Sequence, residues 1–96
     1  MGDAVPRSDR PHRFTDCYEF DADFRGETLY YMESGCRTSM IWTWTNGYRI
    51  SASSIQTWKN PDGSDSQVGS EERSEIIRRA IKYAHDVQHV KLIVED

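Results

Sequence analysis

Residues 70–87 form the one stretch of this sequence with helical periodicity, and that stretch limits what the rest of the chain can build. Ile76, Ile77, Ala80, Ile81, Ala84 and Val87 lie on one stripe at a 3.6-residue repeat. Ser70 offers an N-cap, Glu71 and Glu72 occupy the first turn at the positive end of the dipole, and Arg78, Arg79 and Lys82 follow towards the negative end. Glu75 and Arg79 make a well-oriented i,i+4 pair expected on the wet side. With no second helical stripe to pack against, the apolar face of this helix requires a sheet.

The sheet is legible upstream. Residues 28–33, 37–45 and 48–53 alternate β-branched or aromatic side chains with polar ones between turn signals. Asn46-Gly47 is the strongest hairpin signal in the chain, because a type I′ turn needs positive φ at both central residues, and Ser34-Gly35 joins the first two runs. If both loops have two residues, Glu33 opposes Cys36 and Thr45 opposes Tyr48. Leu29, Tyr31, Met40, Trp42, Trp44, Arg49, Ser51 and Ser53 then share one face, while Tyr30, Met32, Arg37, Ser39, Ile41, Thr43, Tyr48, Ile50 and Ala52 share the other. A helix packed on the Ile41/Ile50/Ala52 side would leave Trp42 and Trp44 open; packed on the other side, it would make the tryptophans the core. A short extended piece at residues 55–58 and a turn-rich loop from Asn60 to Ser66 lead to the helix. After His89 the chain alternates again, Val90, Leu92 and Val94 against Lys91, Ile93 and Glu95, as a closing strand. The expected fold is α+β: a mainly antiparallel sheet of four to five strands, one amphipathic helix on a face, and a C-terminal strand.

With 96 residues the chain is sized for one domain. Hydrophobic residues are only 36%, but aromatics reach 11%, and each can bury roughly 150–250 Å². Residues 1–12, with Pro6, Pro11, Arg7 and Arg10, lack the apolar side chains to offset their ordering entropy and are expected to form a flexible arm, leaving 13–96 as the domain. No apolar run approaches a membrane span, and no apolar leader core precedes Pro11, so a cytoplasmic location is expected.

Net charge is -4 with a pI near 5.3, which disfavours general nucleic-acid binding, since that affinity comes from clustered Lys and Arg. Between Asp16 and Glu33 the charge is concentrated: Asp16, Glu19, Asp21, Asp23, Glu27 and Glu33 face only Arg25. Candidates for chemistry are few. His85 and His89 are four residues apart, as two imidazoles on one helical face would be, but they straddle the helix end without further ligands at metal spacing. Asp62 to Ser66 lacks the ligand set of a calcium loop, and Cys17 and Cys36 match no zinc or disulfide pattern and are expected as free thiols. No metal or cofactor is expected. Two features remain as equipment for binding a protein: the acidic run, and the crowd of Trp42, Trp44, Trp58, Tyr30, Tyr31 and Tyr48.

The string from Ile55 through Trp58 and Pro61 to Ser70, Glu71, Glu72, Arg73, Ile76 and Ile77, closed by a Lys-Leu-Ile-Val-Glu strand, resembles a family of small bacterial immunity proteins encoded beside polymorphic toxins. Tyr31 to Arg37 looks like that family's first turn, with Cys36 inserted between Gly35 and Arg37, and Lys59 and Asn60 follow Trp58 in place of an acid. The resemblance implies an inhibitor that acts without turnover by occluding its toxin. In that case Asp16, Glu19, Asp21, Asp23 and Glu27 would meet a basic surface, and Trp42, Trp44 or Trp58 would anchor the contact. The same composition suits a phage or mobile-element inhibitor of a host defence nuclease. A small metal- or thiol-dependent catalyst built on His85, His89 or a cysteine is the reading from a different class. Homodimerisation through a sheet edge is compatible with all of these.

Overall fold

A computed structural model describes residues 14–44 and 47–96. The N-terminal arm, and Asn46 of the Asn-Gly turn, lie outside the described residues. The architecture is α+β. A five-strand path runs in the order β1 (Tyr18–Asp23), β2 (Thr28–Glu33), β3 (Cys36–Thr43), β4 (Tyr48–Ser51) and β7 (Leu92–Glu95), and two short strands, β5 (Thr57–Lys59) and β6 (Asp65–Gln67), branch from β3. All pairings are antiparallel except β4 with β7. A parallel pair needs a long crossover, and helix α1 (Ser70–Tyr83) lies within it.

The sheet carries more strands than the four or five expected because β1 and β6 are hidden in polar sequence. β1 alternates half-buried Tyr18, Phe20 and Ala22 with exposed Glu19, Asp21 and Asp23, so its acids mask an ordinary period-two strand. β6 lies within the stretch read as loop. Its approach is tied by Asn60, whose side-chain amide donates to the Ser64 and Ser66 hydroxyls at 3.2 Å, while Asp62 accepts from the Ser64 backbone at 2.9 Å.

Between β2 and β3, Glu33 pairs with Cys36 as expected, and both turn residues have positive φ, 55° at Ser34 and 79° at Gly35. Gly35 is required twice over, since an added Cβ would lie 2.9 Å from Pro61 Cγ. Between β3 and β4 the register differs by one residue from that of a two-residue loop: Trp42 pairs with Ile50 and Thr43 with Arg49. That single step moves Tyr48 and Ile50 onto the Trp42 face and sends Arg49 and Ser51 to the other. The reason is burial. The observed register seals Ile50 and sets Tyr48 against Trp42 at 5.4 Å between rings, whereas the alternative would press the Arg49 guanidinium into the core.

The helix therefore covers the tryptophan face, with Leu29, Tyr31, Met40, Trp42 and Ile50 beneath it and Ile76, Ala80 and Ala84 above. The Trp42/Trp44 side is therefore not an open face: Trp42 is 0% exposed, and Trp44 at its margin stays 40% exposed. Helix α1 starts one residue earlier than the Ser70 cap predicts: Gly69 is the cap, and its N–H donates to Glu72 Oε1 at 2.8 Å. Glu72 also accepts the Trp58 indole N–H at 3.1 Å, which joins β5 to the helix start. Ile81 and Val87 are exposed rather than part of the buried stripe. The helix unwinds into a π-turn, Ala84–Gln88, that ends with His89 in the left-handed region and the Val90 N–H returned to Ala84 O at 3.0 Å.

Candidate partner-binding face

The sheet face away from the helix is organised by the register. Across β1, β2 and β3 it presents three rows: Glu19–Met32–Arg37, Asp21–Tyr30–Ser39 and Asp23–Thr28–Ile41. β2 makes the division plain, with buried Leu29, Tyr31 and Glu33 alternating against half-buried Thr28, Tyr30 and Met32. Ile41 is 53% exposed in the middle of the longest strand. The Arg37 guanidinium lies over the Tyr30 ring at 5.3 Å, and Lys59, opposite Arg37 on β5, is paired with Asp65 at 3.0 Å. The face thus grades from carboxylates on the β1 edge, through aromatic and aliphatic side chains, to guanidinium and ammonium groups at β3 and β5.

The five acids singled out from sequence are all exposed. Glu19, Asp21 and Asp23 stand two residues apart along one edge of this face, roughly 6–7 Å from one to the next in an extended strand. Asp16 precedes β1. Glu27 ends the β1–β2 loop with φ at 53°, and its carbonyl accepts the Trp42 N–H at 2.9 Å. Among the described residues, none of these five carboxylates forms an ion pair. Glu33, the sixth acid of the run, is not part of this surface.

Glu33 turns inward with its side chain sealed from solvent. Its Oε1 accepts the Tyr31 hydroxyl at 2.7 Å, and its Oε2 accepts the Thr15 hydroxyl at 2.8 Å and the Thr15 N–H. Arg79 supplies the countercharge. Its Nη1 donates to Tyr31 Oη at 2.9 Å and lies 3.7 Å from Glu33, its Nε donates to Glu75 at 2.7 Å, and the guanidinium rests on the rings of Tyr18 at 4.3 Å and Phe14 at 5.0 Å. The Glu75–Arg79 pair expected on the wet side is therefore a bridge from solvent into the core, with Arg79 buried. Burial, reinforced by the hydrogen bond to Glu33, pushes the Tyr31 phenol well above its usual range, which keeps it a donor.

Hydrogen bonds from Arg78, then from Arg79, hold the Glu75 carboxyl down at about 2. A depressed carboxylate stabilises the fold above its unfolded value near 4.5, and that contribution is lost as pH falls towards 2. Urea midpoints measured across this window are expected to drop with acidification, and Glu75→Gln is expected to flatten the part of the slope due to this group.

Of the three tryptophans proposed as anchors, only Trp44 is available. It is 40% exposed and stacks edge to face on Phe24 at 5.3 Å between ring centroids, and Phe24 continues to Trp42 at 6.0 Å. Phe24 has no place in the charge or alternation patterns of the sequence, although a phenylalanine inside the hairpin loop Phe24-Arg25-Gly26-Glu27 is a signal, since such loops prefer small polar residues. The exposure of Ile41 was missed for a different reason: it depends on which face the helix takes.

The residues weighed for catalysis are scattered. His85 is exposed and contacts Asp86 at 3.0 Å, while His89 sits beyond the π-turn, so the two are not one α-helical turn apart. Among the described residues no group of three or more His, Cys, Asp or Glu side chains is arranged to hold a metal ion. Cys17 and Cys36 are free, and burial raises the Cys36 thiol above its ordinary value, away from an activated thiolate. No described helix is long and apolar enough to cross a membrane. Compared with known proteins, the chain matches no family profile, no curated protein and no solved structure.

Proposed function

We propose that this protein is a stoichiometric inhibitor that neutralises a cognate bacterial toxin in the cytoplasm, as an immunity protein does, by laying the open face of its sheet over a basic site. The observation that carries this reading is the row of Glu19, Asp21 and Asp23 on the β1 edge, carboxylates with no described ion pair, beside half-buried Tyr30 and Met32 and exposed Ile41. Apolar side chains bordered by like charges are the layout of a specific protein interface with an electrostatically steered approach. Asp16 and Glu27 extend the acidic border, and Trp44 with Phe24, on the Trp42 side at the loop end of the sheet, offers an aromatic contact at the rim. Such an inhibitor needs rigid geometry rather than a reaction centre. Trp42 and Trp58, sealed in the core, have no direct part in the contact.

The test is the association kinetics of the protein with the product of the neighbouring gene. The triple variant Asp21→Lys/Asp23→Lys/Glu27→Lys is expected to lower the association rate by about 10- to 100-fold at low salt and to reverse its salt dependence. An unchanged rate and salt slope would remove the acidic face from the mechanism.

A further inference from the structure

At the far side of the sheet from β1, strand β7 has a neighbour on one flank only, β4, among the described residues. Free edges are commonly protected by a lysine, a proline or a bulge in mid-strand. The middle of β7 is instead Ile93 and Val94, which are 38% and 39% exposed. Between this strand and the end of the helical segment runs an apolar groove of about 720 Å³, lined by Ile81, His85, His89, Val90, Lys91 and Leu92. The edge thus combines open backbone, exposed aliphatic side chains and an adjoining hollow bordered by basic groups.

We infer that this edge is a docking surface for a second copy of the same chain, paired antiparallel β7 to β7 about a two-fold axis at Ile93. The register follows from the sequence of the strand. In an antiparallel pair, outward-pointing backbone groups must meet outward-pointing ones, so without a bulge the axis passes through a residue and not between two. Placed at Leu92 it sets Lys91 against Ile93, and placed at Val94 it sets Ile93 against Glu95. Placed at Ile93 it sets Lys91 against Glu95 of the other copy, Leu92 against Val94, and Ile93 against itself. The Lys91–Glu95 and Leu92–Val94 pairs each occur twice and the Ile93 pair once, on the axis, as an isologous interface requires.

Two further consequences support the second copy as occupant. Position 90 falls opposite position 96, so Asp96 of one copy approaches the mouth of the groove beside His89 and Lys91 of the other. Both helices also come to lie on one side of a continuous sheet, which brings the exposed Val94 of one copy to the Leu92 and Ile81 side chains that line the groove of the other. The open face described above continues across the axis, so two inhibitory faces would be carried by one particle.

Sedimentation equilibrium of the full chain tests this. A dimer is expected at micromolar concentration, and a monomer up to about 100 µM overturns the inference. Lys91→Glu and Glu95→Lys, each made alone, replace two attractive cross-strand contacts by two repulsive ones and are expected to weaken dimerisation by about tenfold. The double swap restores opposite charges and is expected to recover the larger part of the loss, although Arg49, which contacts Glu95 within the same copy, then faces a lysine. A dimer equally stable in both single swaps overturns this register. The second measurement is cross-linking. Cα atoms directly opposite in an antiparallel pair are about 4.5–5.5 Å apart, inside the roughly 4.4–6.8 Å span of a disulfide, so oxidised I93C is expected to give a covalent dimer bridged at position 93. A dimer in which I93C does not cross-link places the contact elsewhere and overturns the inference even where the protein is dimeric. Circular dichroism of each variant confirms that the fold is retained.

Discussion

Arg79→Met is expected to destabilise the protein by about 3–5 kcal/mol, although the replaced side chain ends in a charge and sits on a helix that looks solvent-facing in sequence. The cost comes from what stays behind. Glu33 has no exposed side-chain surface, and the Arg79 guanidinium lies 3.7 Å from it. Without the guanidinium, a buried carboxylate keeps the donors Tyr31 and Thr15 but loses a countercharge at 3.7 Å, Tyr31 Oη loses a donor at 2.9 Å, and the rings of Tyr18 and Phe14 lose the plane that rests on them. The measurement is the urea midpoint at neutral pH, compared in a cycle with Glu33→Gln and the double variant. Because part of the loss is the cost of a buried carboxylate facing a neutral side chain, the double is expected to recover a share of it. If Arg79→Met alone costs less than about 1 kcal/mol, the comparison shows that the buried pair is not what ties β2 to the helix.

The second large effect separates the tryptophans. Trp42→Ala is expected to cost about 3–5 kcal/mol, since it empties a fully buried site between Ile50, Tyr48 and the helix, whereas Trp44→Ala at a 40% exposed site is expected to change stability by about 0.5 kcal/mol or less. The indole N–H of Trp42 has no hydrogen-bond partner among the described residues, so Trp42→Phe sacrifices volume and ring contacts. Trp58→Phe, in contrast, also gives up a hydrogen bond to buried Glu72. Thermal melts of the four variants read these differences directly. A large loss in Trp44→Ala together with a small one in Trp42→Ala would overturn the placing of Trp42 in the core and Trp44 at its margin.

Much of the fold can be read from local patterns. The helix is announced by its stripe and by Glu71 and Glu72 at its start, the β2–β3 hairpin by Ser34-Gly35, and the closing strand by the alternation after His89. Strand β1 is harder to read, because three exposed acids outweigh Tyr18, Phe20 and Ala22 in any scan by charge, and β6 is too short to declare itself between turn residues. The candidate site is legible in part for the same reason. Its acids are visible as a run, but Tyr30, Met32 and Ile41 join it only when strand register and helix side are known, and Glu33 leaves it only when Arg79 is found behind it.

The sequence by itself determined the alternation of side chains along each strand, the position of the helix, and the concentration of negative charge ahead of β2. Tertiary structure decided which side of that alternation faces inward, because a strand shifted by one residue transfers every side chain to the opposite face at no cost in local propensity. Only the packing of Ile50 and Tyr48 against Trp42 distinguishes the two arrangements. It likewise decided that Arg79 points in while its neighbour Arg78 points out: both lie within reach of Glu75, but only Arg79 meets a buried carboxylate contributed by a strand 46 positions earlier in the chain.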